Sequence, residues 1–84
     1  MEQVPFRPKK KYYEILKEYR EDHDLRQEDI AKQLNIAQNS LSQYENHKRN
    51  MPIEIFTELL KLYQLSADYV LGLSKDQRTD RWEK

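Results

Sequence analysis

From Gln38 to Asn46 the chain reads QNSLSQYEN, a run whose polar side chains are almost all amides and hydroxyls. Wound into a helix at about 100° per residue, Gln38, Asn39, Ser42, Gln43 and Asn46 fall within about 140° of one another. Ala37, Ser40, Leu41 and Tyr44 collect on the other side, between about 200° and 300°. One face can pack; the other is a row of neutral hydrogen-bonding groups. Gln and Asn each hold a donor beside an acceptor, the pairing that matches N6 and N7 of adenine in the DNA major groove. Such a face loses less on desolvation than a charged one and does not repel phosphate. Solvated helix faces more often carry Lys and Glu, whereas this one has only Glu45, at its margin.

A reading face is useful only if other elements hold it clear of the protein body. No Gly or Pro interrupts the chain from Lys9 to Met51, and Leu, Glu, Lys, Gln and Arg fill that span, which favours helix. Helix one is predicted over Lys10 to Asp22, with Tyr12, Ile15, Leu16 and Tyr19 as its apolar stripe. Helix two is predicted over Gln27 to Leu34, with Leu25, Ile30, Ala31 and Leu34 turned inward. Helix three follows over Gln38 to Asn46. Only Asn35, Ile36 and Ala37 separate the last two, a joint tight enough to set one helix steeply across the other. Asn35 tolerates the left-handed backbone such a turn wants, and Ile36 stands at staple spacing from Leu41. Helix four starts after Pro52, a residue suited to a first turn, with Ile53, Phe56, Leu59, Leu60 and Tyr63 as its stripe. Helix five is predicted over Ala67 to Leu71, with Ser66 as N-cap, Leu65 and Val70 as a staple, and Gly72 as the residue that ends it.

The fold class expected is therefore all-α: a compact five-helix domain over residues 10–73, with a basic arm over residues 1–9 and a polar tail over residues 74–84. At 84 residues the chain has room for one domain. It has no cysteine, which excludes disulfides and thiolate metal sites. No apolar run approaches the roughly 20 residues of a membrane helix, and the first residues lack the apolar stretch of a signal peptide. A cytoplasmic location and no membrane partner are expected. Fifteen basic and fifteen acidic residues cancel, but their distribution is uneven. Arg7, Lys9, Lys10 and Lys11 form one basic cluster, and His47, Lys48 and Arg49 another. Glu21, Asp22, Asp24, Glu28 and Asp29 form an acidic stretch.

The segment LRQEDIAKQL, the turn NIA, QNSLSQYEN and SADYVLGL stand in order at mutual spacings that resemble the lambda repressor and Cro-type helix-turn-helix family, also called the XRE family. The resemblance covers roughly Tyr12 to Leu73 and implies a lambda-repressor-like DNA-binding fold. It implies a phosphate-contacting role for Gln27 and base contacts for Gln38, Asn39 and Gln43. Ser42 faces the same groove. Asn46, Lys48 and Arg49 resemble the loop that clamps the DNA backbone. Arg20 and Glu45 match an ion pair that joins helix one to helix three. The sequence departs from the pattern where Gly is usual, at Asn35 and His47, and Ala37 replaces a Ser or Thr cap. A His at that position must adopt a left-handed conformation or belong to a differently shaped loop.

The basic arm, Arg7, Lys9, Lys10 and Lys11, can reach phosphates or the minor groove, or serve as a solubilising tail. His23 and His47 lack a second ligand at metal spacing, so no metal is expected. Nothing resembles a phosphate loop, a nucleophile elbow or a cofactor motif, so neither catalysis nor a cofactor is expected. The function implied is a sequence-specific transcriptional regulator, a repressor of bacterium or phage that binds a palindromic site on double-stranded DNA as a homodimer. Tyr69, Leu71, Leu73 and Trp82 are the candidates for the dimer surface. The alternative is a protein-binding module of the same fold, such as an antitoxin whose main partner is a toxin.

Overall fold

A computed structural model describes residues 10–77 of the protein. The described residues form five helices and no strand: α1 over Tyr12–Asp22, α2 over Gln27–Leu34, α3 over Gln38–Glu45, α4 over Ile53–Tyr63 and α5 over Ala67–Val70. Their apolar stripes meet in one core, except that Ile53, expected in the α4 stripe, lies in the first turn of α4 and is 66% exposed. Leu16 of α1, Ile30 and Ala31 of α2 and Leu41 of α3 pack with Phe56, Leu59, Leu60 and Tyr63 of α4, with Leu65, and with Val70 of α5. Leu41 is wholly buried, so the inner side of α3 is pinned while its outer side is left to solvent. Among the described residues no helix is long and apolar enough to cross a membrane.

Three helices are shorter than their periodicity predicts. Helix one starts at Tyr12, because Lys11 is extended and acts as the N-cap. The Glu14 carboxylate accepts from the Lys11 backbone N–H at 2.8 Å, one half of a capping box. Lys11 is thus tied to the first turn of α1, and the Lys10 ammonium is paired to Glu18, further along the same helix. Arg7 and Lys9 lie outside the described residues. Helix three ends at Glu45 and helix five at Val70, one residue short of the prediction in each case.

These endings share one cause. Each helix is followed by a residue of positive φ: Asp24 (55°), Asn35 (60°), His47 (56°), Gln64 (56°) and Gly72 (84°). In each case the next N–H reaches back to a carbonyl in the last turn: Leu25 to Arg20, Ile36 to Ala31, Lys48 to Gln43, Leu65 to Leu60 and Leu73 to Asp68. This is the Schellman termination, which satisfies carbonyls the helix leaves unpaired. Only Gly72 adopts that backbone without penalty; a residue with a Cβ gives up about 1–2 kcal/mol there. In three of the four other cases the residue after it is Leu25, Ile36 or Leu65, each turned toward the core. Burial of that side chain offsets the backbone cost. Ser66 caps α5 by accepting from the Tyr69 N–H at 3.3 Å.

Residues 71–77, the described residues beyond α5, turn back on the domain. The Ser66 N–H donates to the Gln77 carbonyl at 2.8 Å, so residues 74–77 fold back to the start of α5. Tyr69 is half-buried against the core, while Leu71 and Leu73 are 53% and 73% exposed. Trp82 lies outside the described residues.

Candidate nucleic-acid interface

The two faces of α3 differ as its sequence pattern predicts. Leu41, Tyr44 and Glu45 are buried, Gln38 and Asn39 are exposed, and Ser42 and Gln43 are half-exposed. None of the four polar residues is covered by the core. Ala37 provides no side-chain cap, so α3 is held by its underside and by its neighbours.

One of these holds is electrostatic. Glu45, at the margin of the polar face by angle, turns inward as the expected pair with Arg20 requires and is 3% exposed. The Arg20 guanidinium, 8% exposed, donates Nε to Glu45 Oε2 at 2.7 Å and Nη2 to Glu45 Oε1 at 3.0 Å. Its Nη1 donates to the Leu25 carbonyl at 2.8 Å, just beyond α1. The hydrogen bond to Glu45 raises the Arg20 pKa above its ordinary value despite the opposing effect of burial. A two-point pair of this geometry fixes direction as well as distance, so α1 sets the rotation of α3 about its own axis.

From that pair a chain of contacts leads to the surface. Gln27, first residue of α2, donates Nε2 to Glu45 Oε1 at 2.9 Å. Its own Oε1 accepts from Gln38 Nε2 at 3.3 Å. The Gln38 side chain therefore has its donor engaged by Gln27, which leaves its carbonyl oxygen and its second N–H for an incoming ligand. Gln27 still has one amide N–H, and its backbone N–H is among the donors that a helix start leaves without an intrahelical partner.

At the other end of α3 the residues are also engaged. Arg49 Nη1 donates to Gln43 Oε1 at 3.3 Å, and its guanidinium lies 5.5 Å from the centre of the Tyr44 ring. Arg49 is thus drawn back onto α3, and Lys48 beside it is exposed. Asn46 donates weakly to Ser42 Oγ at 3.5 Å. Its Oδ1 accepts from Lys17 of α1 at 3.0 Å. His47 takes the left-handed backbone, and its ring stacks on Tyr13 with centroids 4.2 Å apart and planes 14° apart. The loop after α3 therefore keeps the shape for which Gly is usual, with a His in that place.

Sequence reasoning missed Tyr13 and Lys17. The signal was there: Tyr13, Lys17 and Arg20 stand at i, i+4 and i+7, a stripe of α1 beside the apolar one. They meet His47, Asn46 and Glu45, three consecutive residues, in reverse order. Among the described residues no group of His, Cys, Asp and Glu side chains is arranged to hold a metal ion.

Comparison with known proteins agrees with this geometry. The Helix-turn-helix family model matches residues 16–70. The chain is 35% identical over 65 residues to the uncharacterized HTH-type transcriptional regulator YobD of Bacillus subtilis (strain 168), covering 77% of this chain and 58% of that protein. It is 39% identical over 72 residues to the HTH-type transcriptional regulator ImmR of the same organism, covering 82% of this chain and 57% of that protein. The match thus spans little more than half the length of these relatives. No solved structure gives a significant match. The match through α1 to α5, with the two crossed helices and the short turn between them, makes the chain a member of the XRE-type helix-turn-helix family.

Proposed function

We propose that this chain is the DNA-binding part of a sequence-specific transcriptional regulator, a repressor that binds a palindromic operator as a dimer. The observation that carries the reading is the outer row of α3. Gln38, Asn39, Ser42 and Gln43 are accessible, neutral and side by side, on a helix locked from behind by Arg20 and Glu45. In the docking mode of this family, the first residues of the second helix meet base edges in the major groove. Gln38 and Asn39 would read bases, with Ser42 and Gln43 beside them, while Gln27, Asn46, Lys48 and Arg49 hold the backbone. The names of both relatives as transcriptional regulators support the same reading.

The dimer is part of the proposal because one short helix touches few base pairs. Exposed Leu71 and Leu73, beside half-buried Tyr69, are the apolar groups nearest the end of the described chain and suit a contact between copies. A two-fold dimer would read half-sites about 34 Å apart, one turn of DNA. Selection of bound sites from random duplexes tests the proposal. The expected result is an enriched motif with two-fold symmetry and that spacing. Failure to enrich any motif would overturn it. An enriched motif without symmetry would remove the dimer alone.

A further inference from the structure

The cations of the surface differ in whether carboxylates already neutralise them. Lys10 is paired with Glu18, Arg26 with Glu28 and Asp29, and Lys61 with Glu58. Among the described residues no carboxylate lies within ion-pair distance of Lys17. Its half-buried stem brings Nζ instead to a neutral acceptor, Asn46 Oδ1, at 3.0 Å. That contact orients the ammonium without cancelling its charge.

The place it is brought to is informative. Asn46 is the residue that follows α3. The C-terminal end of a helix carries a partial negative charge, which cations near it offset. α3 has no basic residue in its last turn, so this end would repel an approaching polyanion. Lys17 brings a cation to this end of α3 from a different helix, on the Asn46 side, while Arg49 lies against Gln43 and Tyr44. A helix of eight residues is about 12 Å long, comparable to the roughly 12 Å width of the major groove. When its first residues meet the bases, its last residues lie toward the sugar–phosphate wall.

We propose that Lys17 and Asn46 together form a phosphate site, so that α1 contacts the DNA backbone directly through Lys17. The proposal rests on the DNA-binding reading above. On binding, the ammonium and the Asn46 amide N–H share one phosphate, the weak 3.5 Å contact of that amide to Ser42 being the one given up.

The test is affinity for a mixed-sequence duplex measured across a salt series, since a backbone contact acts on any sequence. Each phosphate neutralised contributes about 0.9 to the slope of log K against log salt. Lys17→Met should lower the slope by about that amount, Lys17→Arg should restore it, and Lys61→Met on α4 should leave it unchanged. Thermal melting of each variant runs alongside. A Lys17→Met protein with a lowered melting temperature but the wild-type slope would overturn the proposal, because Lys17 would then serve only as a cap for α3. If Lys17→Met does not fold, Lys17→Gln, which keeps a hydrogen-bonding head for Asn46, gives the same two outcomes. A wild-type protein whose duplex binding shows no salt dependence would overturn the DNA-binding reading and this site with it. A salt-dependent wild type with an unaltered Lys17 variant would overturn this site alone.

Discussion

The Tyr13 ring lies parallel to the His47 imidazole at 4.2 Å, and His47 holds a left-handed backbone at φ 56°. Tyr12 approaches the same imidazole edge-on at 6.4 Å. A residue with a Cβ in that conformation gives up about 1–2 kcal/mol, and aromatic contacts of this kind return about 0.5–1.5 kcal/mol. The two effects are of similar size, which explains how a His stands where Gly is the usual choice.

That balance is measurable. His47→Gly removes the backbone penalty and the stack together, so its melting temperature should stay close to that of the wild type. Asp24→Gly removes the same kind of penalty after α1 with no ring contact to lose, and should stabilise by up to about 1–2 kcal/mol. Equal stabilisation by both substitutions would show that the Tyr13 stack contributes nothing.

Lys48 and Arg49, adjacent in sequence, should separate in binding assays. Replacing Lys48 by Ala should lower the salt slope by about 0.9 and leave base preference intact. Arg49 holds Gln43 Oε1 at 3.3 Å. Its replacement by Ala should release that amide and change base preference at one operator position as well. Identical sequence preferences for the two variants on selected sites would contradict this division.

The buried pair of Arg20 and Glu45 predicts an asymmetry between single and double replacement. Glu45→Ala leaves the guanidinium uncompensated and takes one acceptor from Gln27. A loss of about 3–5 kcal/mol is expected, a large share of the roughly 5–15 kcal/mol that holds a domain folded. Arg20→Met with Glu45→Leu should recover much of it, because no charge then remains buried. Chemical denaturation of the three proteins checks the order. A double variant less stable than either single one would reverse the argument.

Tyr63 supplies a dependence on pH. Its hydroxyl is buried without a hydrogen-bond partner among the described residues, and burial, reinforced by Glu45, pushes its pKa well up. The folded state therefore keeps its proton while the unfolded chain releases it near its ordinary pKa of about 10. Above that pH the unfolded state binds fewer protons, and stability falls as pH rises. Tyr63→Phe should stabilise at neutral pH by about 1 kcal/mol, through removal of an unpaired buried polar group. It should also lose less stability than wild type above about pH 10. Parallel stability curves for the two proteins across that range would contradict the assignment.

Much of this fold was legible because helical periodicity and burial coincide. Leu16, Ile30, Leu41, Leu59 and Val70 occupy stripe positions and form the core. The outer row of α3 was legible for the same reason, as angular position alone separates Gln38 and Ser42 from Leu41 and Tyr44. What escaped depended on partners distant in sequence. The angle of Glu45, at the edge of the α3 stripe, does not say whether it faces water; only the family resemblance, which pairs it with Arg20, 25 residues earlier, pointed to the inward turn. Lys17 and Tyr13 read as ordinary surface residues until the fold sets them beside Asn46 and His47. The start of α1 was misjudged because Lys11 is an extended N-cap without a capping side chain, and the end of α3 by one residue because the left-handed position at His47 carries no glycine to announce it.

The contacts running from Arg20 through Glu45 and Gln27 to Gln38 bear on any attempt to redirect this protein to a new operator. A transplanted α3 would bring its amides but not the means of aiming them, since the aim comes from α1 and the first residue of α2. On the base-reading role proposed for α3, specificity would rest on a four-residue set drawn from three helices, and a graft that moves only the exposed row should bind DNA while losing discrimination among sequences.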